Sequence, residues 1–385
     1  MRILVAPNAF KNSLAAADVA EAIKEGLKES KLQCVIDCFP VGDGGDGTAE
    51  LILNYHNGNT ISATVHDPLM RKISSSFGLI KEGKTAVIEM ANASGLRLLQ
   101  LNELDPLHTS SFGTGELIIE ALNRGVNKII MCIGGSATVD GAIGSLKALG
   151  FRFLDKYGKE LINTPATLID LETIDFSGMD ERIKQCKIIV LCDVENVLLG
   201  KEGAAAVFGP QKGASPGDVK KLEASLAKLS NIIFKQTGKN ISTIKSGGAA
   251  GGMAAGLAAF LNADLVNGID YFLELTMFDA ALEEKDVVIT GEGSIDIQTL
   301  HGKGPFGVAK RAKEKGIPVI GLAGKIPAER IEPLERYFDV LLSINDKEAE
   351  LSYALSQTGQ NLKTTSKNIG DLLAGRGFNK NYFYK

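Results

Sequence analysis

The stretch CVIDCFPVGDGGDGTAELILNY, residues 34–55, contains the transition that decides the fold. Residues 34–41 form a largely apolar run that favours a β-strand, and residues 48–55 carry apolar side chains at helical spacing. The six residues between them are four glycines and two aspartates. A strand joined to a helix through a glycine-rich loop is typical of α/β proteins, so this stretch predicts a parallel sheet covered by helices.

The same alternation of strand and helix occurs near both ends of the chain. The predicted strands lie at 3–6, 286–290, 318–322 and 339–343, and the predicted helices lie at 13–28, with Ser13 as its cap, and at 305–315. Alternating elements of this kind imply a parallel sheet with helices on both faces. In such sheets ligands bind beyond the carboxyl ends of the strands, where glycine-rich and acidic segments follow here.

The middle of the chain has a different pattern. Residues 60–65, 73–80 and 85–90 follow one another too closely for crossover helices, which predicts antiparallel pairing. We therefore expect a discontinuous parallel α/β domain from residues 1–60 and 266–385, interrupted by a mixed α/β domain at 61–265. The active site is expected in the cleft between these two domains.

Composition excludes several classes of protein. The 385 residues include 43 glycines without a repeating period and have a net charge of −4, which favours neither nucleic acid nor an anionic membrane as a partner. The glycine- and alanine-rich segment 247–261 is too short to span a bilayer. The five cysteines form no CxxC pair, and the first apolar run is too short for a signal peptide, so we expect a cytoplasmic protein.

The loop at residues 42–47 formally satisfies the dinucleotide-binding pattern GxGxxG. Asp43 and Asp46 argue against that interpretation, because two like charges ~4 Å apart repel by about 4 kcal/mol at an effective dielectric constant of ~20. Bound Mg²⁺ would convert both carboxylates into ligands of a metal–nucleotide complex. The segment GGDGT at residues 44–48 also resembles the loop of NAD kinases and of lipid kinases of the diacylglycerol type.

Other segments at predicted strand ends carry groups suited to phosphate or metal. Residues 134–138, GGSAT, follow a predicted strand and precede a helix, an arrangement whose backbone amides bind anions. Residues 291–296, GEGSID, are predicted to form a loop with two acids. Lys11 and Asp193 are further charged residues near predicted strand ends, and Lys303 lies in the segment HGKGP at 301–305. Either lysine could neutralise a phosphate or a carboxylate.

At these residues the chain resembles the type 1 glycerate kinase family, and the resemblance extends over nearly the whole chain. The segments that carry it are APNAFK at 6–11, DGGDGT at 43–48, ASGL at 93–96, GTGELI at 113–118, GGSAT at 134–138, FGPQKGA at 208–214, GAAGG at 248–252 and GEGSID at 291–296. Asn8 stands where an aspartate is common in the family, and Asp46 stands where a glutamate is common.

The resemblance implies a Rossmann- or flavodoxin-like parallel-sheet domain interrupted by the second domain, and ATP-dependent phosphorylation of glycerate, commonly giving 2-phosphoglycerate. On that basis we assign the candidate residues by role. Mg²⁺ is assigned to Asp43, Asp46 and Glu292; the general base to Asp296 or Asp193; the substrate carboxylate and the transferred phosphate to Lys11 and Lys303; further glycerate contacts to Arg71 and Ser294; and nucleotide phosphates to Gly44, Gly45, Gly134, Gly135 and Ser136.

Two alternative functions remain open at this point. A kinase with a GGDGT loop would use MgATP but phosphorylate NAD or a lipid, and a two-domain sensor would bind a sugar acid without turnover. For Arg71, a role in a hairpin turn is the alternative to a contact with glycerate. The sequence leaves the oligomeric state open, with a homodimer as the candidate assembly.

Overall fold

The computed structural model describes residues 1–162, 165–327, 329, 331–345, 350–375 and 377–383. Its strands are β1 (Arg2–Val5), β2 (Val35–Cys38), β3 (Asn59–His66), β4 (Lys72–Ile80), β5 (Thr85–Glu89), β6 (Lys128–Cys132), β7 (Arg152–Leu154), β8 (Thr173–Asp175), β9 (Lys187–Cys192), β10 (Asp264–Asn267), β11 (Val287–Ser294), β12 (Val319–Lys325) and β13 (Val340–Ser343). Its helices are α1 (Ala16–Glu29), α2 (Thr48–Tyr55), α3 (Ala91–Ser94), α4 (Phe112–Asn123), α5 (Ile143–Ala148), α6 (Ala204–Phe208), α7 (Pro216–Thr237), α8 (Ala249–Leu261), α9 (Gly268–Leu275), α10 (Phe278–Ala281), α11 (Gly304–Glu314), α12 (Glu332–Glu335), α13 (Leu351–Ser356) and α14 (Thr358–Leu373).

The first compact unit comprises residues 1–43 and 268–385. Its sheet has the strand order β13-β12-β11-β1-β2, and all its strand pairs are parallel. Counted within the unit, this order is the 2-1-3-4-5 arrangement of flavodoxin-like folds, whose switch point lies between β1 and β11. In α1, Val19, Ile23 and Leu27 recur every fourth residue and are buried in the core of this unit.

The second compact unit comprises residues 44–267 and has a core of its own. Its larger sheet has the order β10-β9-β6-β5-β4-β3, and β7 and β8 form a separate antiparallel pair. In the larger sheet the pairs β3–β4 and β4–β5 are antiparallel, and the other pairs are parallel. A parallel sheet from both chain ends with an inserted mixed sheet is the predicted fold class, which is thereby confirmed.

The boundary between the units falls earlier in the chain than the division predicted after residue 60. The reason is the position of α2, which packs against β4 and β5 of the second unit. The predicted cleft location of the active site stays a prediction.

Two local predictions were wrong. Helix α1 begins at Ala16 rather than at residue 13, because the Ser13 hydroxyl does not cap it but donates to the Leu355 carbonyl at 2.7 Å. The predicted loop at 291–296 is largely strand, because β11 continues to Ser294 alongside β12. Glycine permits this pairing, since a Cβ on Gly291 would lie 2.2 Å from the Leu322 carbonyl oxygen.

No helix within the described part of the chain is both long enough and apolar enough to cross a bilayer. Segment 247–252 instead packs closely against its neighbours. A Cβ on Gly251 would lie 2.0 Å from the Thr138 carbonyl oxygen, and a Cβ on Gly248 would lie 2.2 Å from that of Val197. These glycines therefore serve close backbone packing.

Candidate active site

Two of the glycine-rich segments meet within the second unit. The Gly134 amide donates to the Gly44 carbonyl at 3.0 Å. A Cβ on Gly134 would lie 2.5 Å from the Gly45 Cα, so a residue with a side chain there would push the two segments apart. The structure thus brings together Gly44, Gly45 and Gly134. The Gly134 amide, a candidate hydrogen-bond donor to a phosphate, already donates to the Gly44 carbonyl.

Asp46 lies against the second of these segments. A Cβ on Gly135 would stand 2.3 Å from Asp46 Oδ1, and Gly135 has a φ of +69°, a conformation that favours glycine. The Asp46 side chain is exposed. An accessible carboxylate is therefore placed directly beside the backbone of residues 134–136.

Residues 134–138 carry the features of an anion site. Within the described residues, the amides of Gly135 and Ser136 donate to no protein acceptor, whereas Ala137 donates to the Ser94 carbonyl and fixes the segment. The hydroxyl Oγ1 of Thr138 is buried and has no hydrogen-bond partner among the described residues. Unsatisfied buried donors are costly, so this loop has hydrogen-bonding capacity available for a ligand.

Lys212 approaches the same loop from a short 3₁₀ turn, Pro210–Lys212. Its Nζ donates to Ser136 Oγ and to the Thr138 carbonyl, both at 2.7 Å, and the residue is only 2% exposed. Burial lowers the pKa of Lys212 to about 7, although the nearby charge of Asp140 acts in the opposite direction. Sequence reasoning missed this residue, because most lysines are solvated and nothing around residue 212 indicates burial.

Glu89 is a second residue that sequence reasoning missed. It ends β5, is 4% exposed, and accepts hydrogen bonds from the Gly47 amide at 3.1 Å and the Ala49 amide at 3.3 Å. Burial raises the pKa of Glu89, and these amides act against that rise. A protein carboxylate therefore fills the N-terminus of α2, where the GxGxxG interpretation would put a pyrophosphate. An acid at the end of an apolar strand was the available signal.

Asp43, the last residue of the first segment of the first unit, lies in the loop that joins β2 to α2. Its Oδ2 accepts a hydrogen bond from Asn8 Nδ2 at 2.8 Å and a longer one from the Gly304 amide at 3.4 Å. Gly304 begins α11, so the carboxylate lies at the positive end of that helix. The amide of Asn8 can donate to Asp43, which an ionised aspartate at position 8 could not do.

Glu292, near the end of β11, shares this neighbourhood. Burial raises its pKa to about 7, with a contribution from Asp43, while Lys303 and Lys11 act to lower it. Its Oε1 accepts a hydrogen bond from the Thr299 hydroxyl at 3.1 Å. The switch point of the sheet therefore holds two acids and two lysines.

Asp296 and Ser294 belong to different elements, a 3₁₀ turn and strand β11. Asp296 caps the 3₁₀ turn Ile297–His301, accepting a hydrogen bond from the Gln298 amide at 2.8 Å. Ser294 is the last residue of β11 and pairs with Lys325 of β12. The structure thus gives Asp296 a capping role, which is compatible with proton transfer through its second oxygen.

Arg71 and Asp193 both lie in the second unit. The Arg71 guanidinium contacts Asp67 and Glu103, at 2.5 Å and 2.7 Å, which supports the hairpin-turn alternative. Asp193 directly follows β9. Gly44 approaches that strand end, since a Cβ on it would lie 2.8 Å from the Leu191 carbonyl oxygen.

The donor set fits magnesium bound together with a nucleotide better than a cage built from protein alone. Within the described residues, no three histidine, cysteine or acidic side chains come together as a metal-binding group. Mg²⁺ is commonly held by one or two carboxylates, with phosphate oxygens and water completing its coordination. Residues 134–138 are called the anion loop below. Asp46 beside this loop and Asp43 beside Glu292 offer oxygens of the required type.

Comparison with known proteins places the chain in a family. Residues 3–374 match the model of the glycerate kinase family. A glycerate kinase of Bacillus subtilis is 42% identical over 96% of this chain and 97% of its own, and the glycerate 2-kinase of Escherichia coli is 41% identical over 97% and 98%. The crystal structure of a putative glycerate kinase 2 from Salmonella typhimurium LT2 has a TM-score of 0.81 and 42% identity, covering 97% of this chain and 98% of that one.

These matches span both units, so they decide between the alternatives that the sequence left open. Neither a kinase that shares only the GGDGT loop nor a sensor without turnover accounts for a match that extends over residues 3–374. The chain belongs to the glycerate kinase family of phosphotransferases.

Proposed function

We propose that this protein transfers the γ-phosphoryl group of MgATP in line to the 2-hydroxyl of glycerate, giving 2-phosphoglycerate. The name of the Escherichia coli relative, glycerate 2-kinase, supports the choice of hydroxyl. The observation that carries the proposal is the loop at 134–138, where the amides of Gly135 and Ser136 have no acceptor among the described residues and the Asp46 carboxylate lies beside Gly135. Phosphoryl transfer depends mainly on positioning and charge neutralisation, which such a loop supplies.

In this proposal the nucleotide phosphates are bound by backbone amides. Gly135 and Ser136 donate directly, and Gly44, Gly45 and Gly134 keep the surface free of side chains so that a phosphate can approach. The Ser136 hydroxyl accepts from Lys212, which leaves its own proton available for a phosphate oxygen.

Asp43 and Asp46 would hold Mg²⁺, with Glu292 as a further ligand. The metal ion would neutralise charge on the phosphates and so favour attack by the acceptor. Asn8 and the Gly304 amide would orient Asp43, because both donate to its Oδ2. Thr299 would orient Glu292 in the same way.

The acceptor hydroxyl needs a proton acceptor and a counter-charge for the glycerate carboxylate. We assign the proton to Asp296 or Asp193, a role typically contributing ~10²–10⁴-fold in rate. Lys11 and Lys303 would bind the carboxylate and the transferred phosphoryl group. Arg71 and Ser294 remain candidate contacts to glycerate.

A coupled assay for ADP, run with glycerate, with NAD and with no acceptor, tests the reaction. We expect ADP release only in the assay that contains glycerate, and none with NAD or without an acceptor. The ³¹P spectrum of the product then identifies the hydroxyl, because phosphorus couples to a single carbon-bound proton in 2-phosphoglycerate and to a pair in 3-phosphoglycerate. A doublet is expected, and a triplet would reverse the assignment. The homodimer and the cytoplasmic location stay predictions.

A further inference from the structure

The most unusual group outside the assigned machinery is the buried ammonium of Lys212. Within the described residues it forms no ion pair: Asp140 is the charged group that influences its pKa, but no salt bridge joins them. Asp140 uses its oxygens elsewhere, accepting from the Ser111 hydroxyl at 2.7 Å and the Gly144 amide at 3.1 Å. A buried charge without a counter-ion is expensive, so a site that keeps one gains if an anion arrives.

The hydrogen bonds of Lys212 point to where that anion would bind. Two of its three N–H donors go to Ser136 Oγ and the Thr138 carbonyl, the side chain and backbone of the anion loop itself. The Thr138 hydroxyl, buried and without a partner among the described residues, belongs to the same loop. Positive charge, a spare donor and unused polar groups therefore coincide behind residues 134–138.

We propose that Lys212 is a positioning residue of the phosphate site, which holds residues 136 and 138 in their anion-binding conformation and provides the buried positive charge behind them. The inference rests on the proposed function in that the anion is a phosphate of the nucleotide. Its consequence is a coupling between protonation and binding: because the lysine is partly neutral near pH 7, a bound polyanion stabilises the ammonium, and binding takes up a proton.

The test is calorimetric titration of the full-length protein with MgATP at pH 8, in buffers of different ionisation enthalpy. We expect the wild-type protein to take up more protons than Lys212→Met, up to ~0.9 per site, since a group with a pKa of about 7 is ~90% neutral at pH 8. Lys212→Met should also raise the KM for ATP at least ~10-fold while the KM for glycerate stays within about twofold, because hydrogen bonds from a charged donor are the stronger ones. Lys220→Met, at an exposed site in α7, removes the same charge and should leave proton uptake and both KM values unchanged.

Equal proton uptake by the wild type and Lys212→Met, or an unchanged KM for ATP in that variant, would overturn the inference. If Lys212→Met does not fold, the wild-type measurement still decides, since absence of proton uptake at pH 8 would equally overturn it. If the wild type binds MgATP with Lys212-dependent proton uptake but releases no ADP with glycerate, the inference stands and the proposed acceptor fails.

Discussion

Asp43 is a single side chain on which the proposed metal site depends. Asp43→Asn keeps an oxygen that can accept from Asn8 Nδ2 but removes the negative charge. We expect turnover to fall at least ~10-fold, because charge stabilisation in the transition state is lost, while the melting temperature stays near that of the wild type. Steady-state kinetics with a thermal melt measures both, and Asp170→Asn, at an exposed position, is the matched control. Wild-type turnover in Asp43→Asn would refute the assignment.

The lowered pKa of Lys212 predicts that the stability of the ligand-free protein depends on pH. Its pKa is about 7 in the folded protein, against 10.5 for the free side chain, so the unfolded chain binds more protons between these values. The free energy of unfolding should therefore rise with pH in this window, by about 2–3 kcal/mol from pH 7 to pH 9, and this contribution is lost as the pH falls to 7.

The measurement is urea unfolding of the wild type and Lys212→Met across that range. The variant should lack this rise, so its stability relative to the wild type should be highest at pH 7 and decline towards pH 9. Lys220→Met should follow the wild type at every pH. Parallel curves for wild type and Lys212→Met would show that the lysine titrates normally in the fold.

The conformation of the anion loop depends on Gly135, where both the positive φ and the neighbouring Asp46 side chain disfavour a Cβ. In Gly135→Ala the new Cβ would meet Asp46 Oδ1 at 2.3 Å, in addition to the strain of a positive φ. Gly158→Ala has the strain without the contact, since its φ is +77° and no atom of the described residues lies within 4 Å of its Cβ. Both should lose stability by ~1 kcal/mol, but only Gly135→Ala should weaken ATP binding by ~10-fold or more. Equal ATP affinity in the two variants would contradict the contact between loop and carboxylate.

The sequence predicted this site unevenly, for a physical reason. Glycines and acids at strand ends are visible locally, so the loops at 42–47 and 134–138 can be singled out from the order of residues alone. Glu89, an acid at the end of β5, carries the same local signal, although its burial depends on distant segments. Lys212 cannot be singled out in this way, because its role arises from burial against residues far away in the chain. The loop predicted at 291–296 was wrong for a related reason: glycine within a strand suggests a turn unless the neighbouring strand that requires it is known.

Along the full chain, the alternation of strands and helices sufficed to predict a discontinuous parallel domain with a mixed insertion. What it could not provide was the first boundary, because α2 has the apolar spacing of any surface helix and its packing on β4 and β5 is a long-range choice. The strand order around β1 and β11 likewise depends on pairing between residues that are far apart in the chain.

Each unit has its own core, which predicts independent folding of the insertion. A fragment of residues 44–267 should unfold cooperatively in urea, because its core is drawn entirely from residues of that range. A fragment of residues 1–43 should be unstructured by circular dichroism, since β1 needs β11 as a partner. A non-cooperative transition in the longer fragment would show that its core depends on the rest of the chain.

We propose that carboxylates beside the glycine-rich anion loop accept a nucleotide through a divalent cation. Calorimetric titration of the full-length protein with ATP, in Mg²⁺ and then in excess EDTA, is the decisive test of that claim. We predict at least ~10-fold weaker binding in EDTA and loss of turnover, because Asp43 and Asp46 would then repel the phosphates. Unchanged affinity together with full turnover in EDTA would contradict the claim.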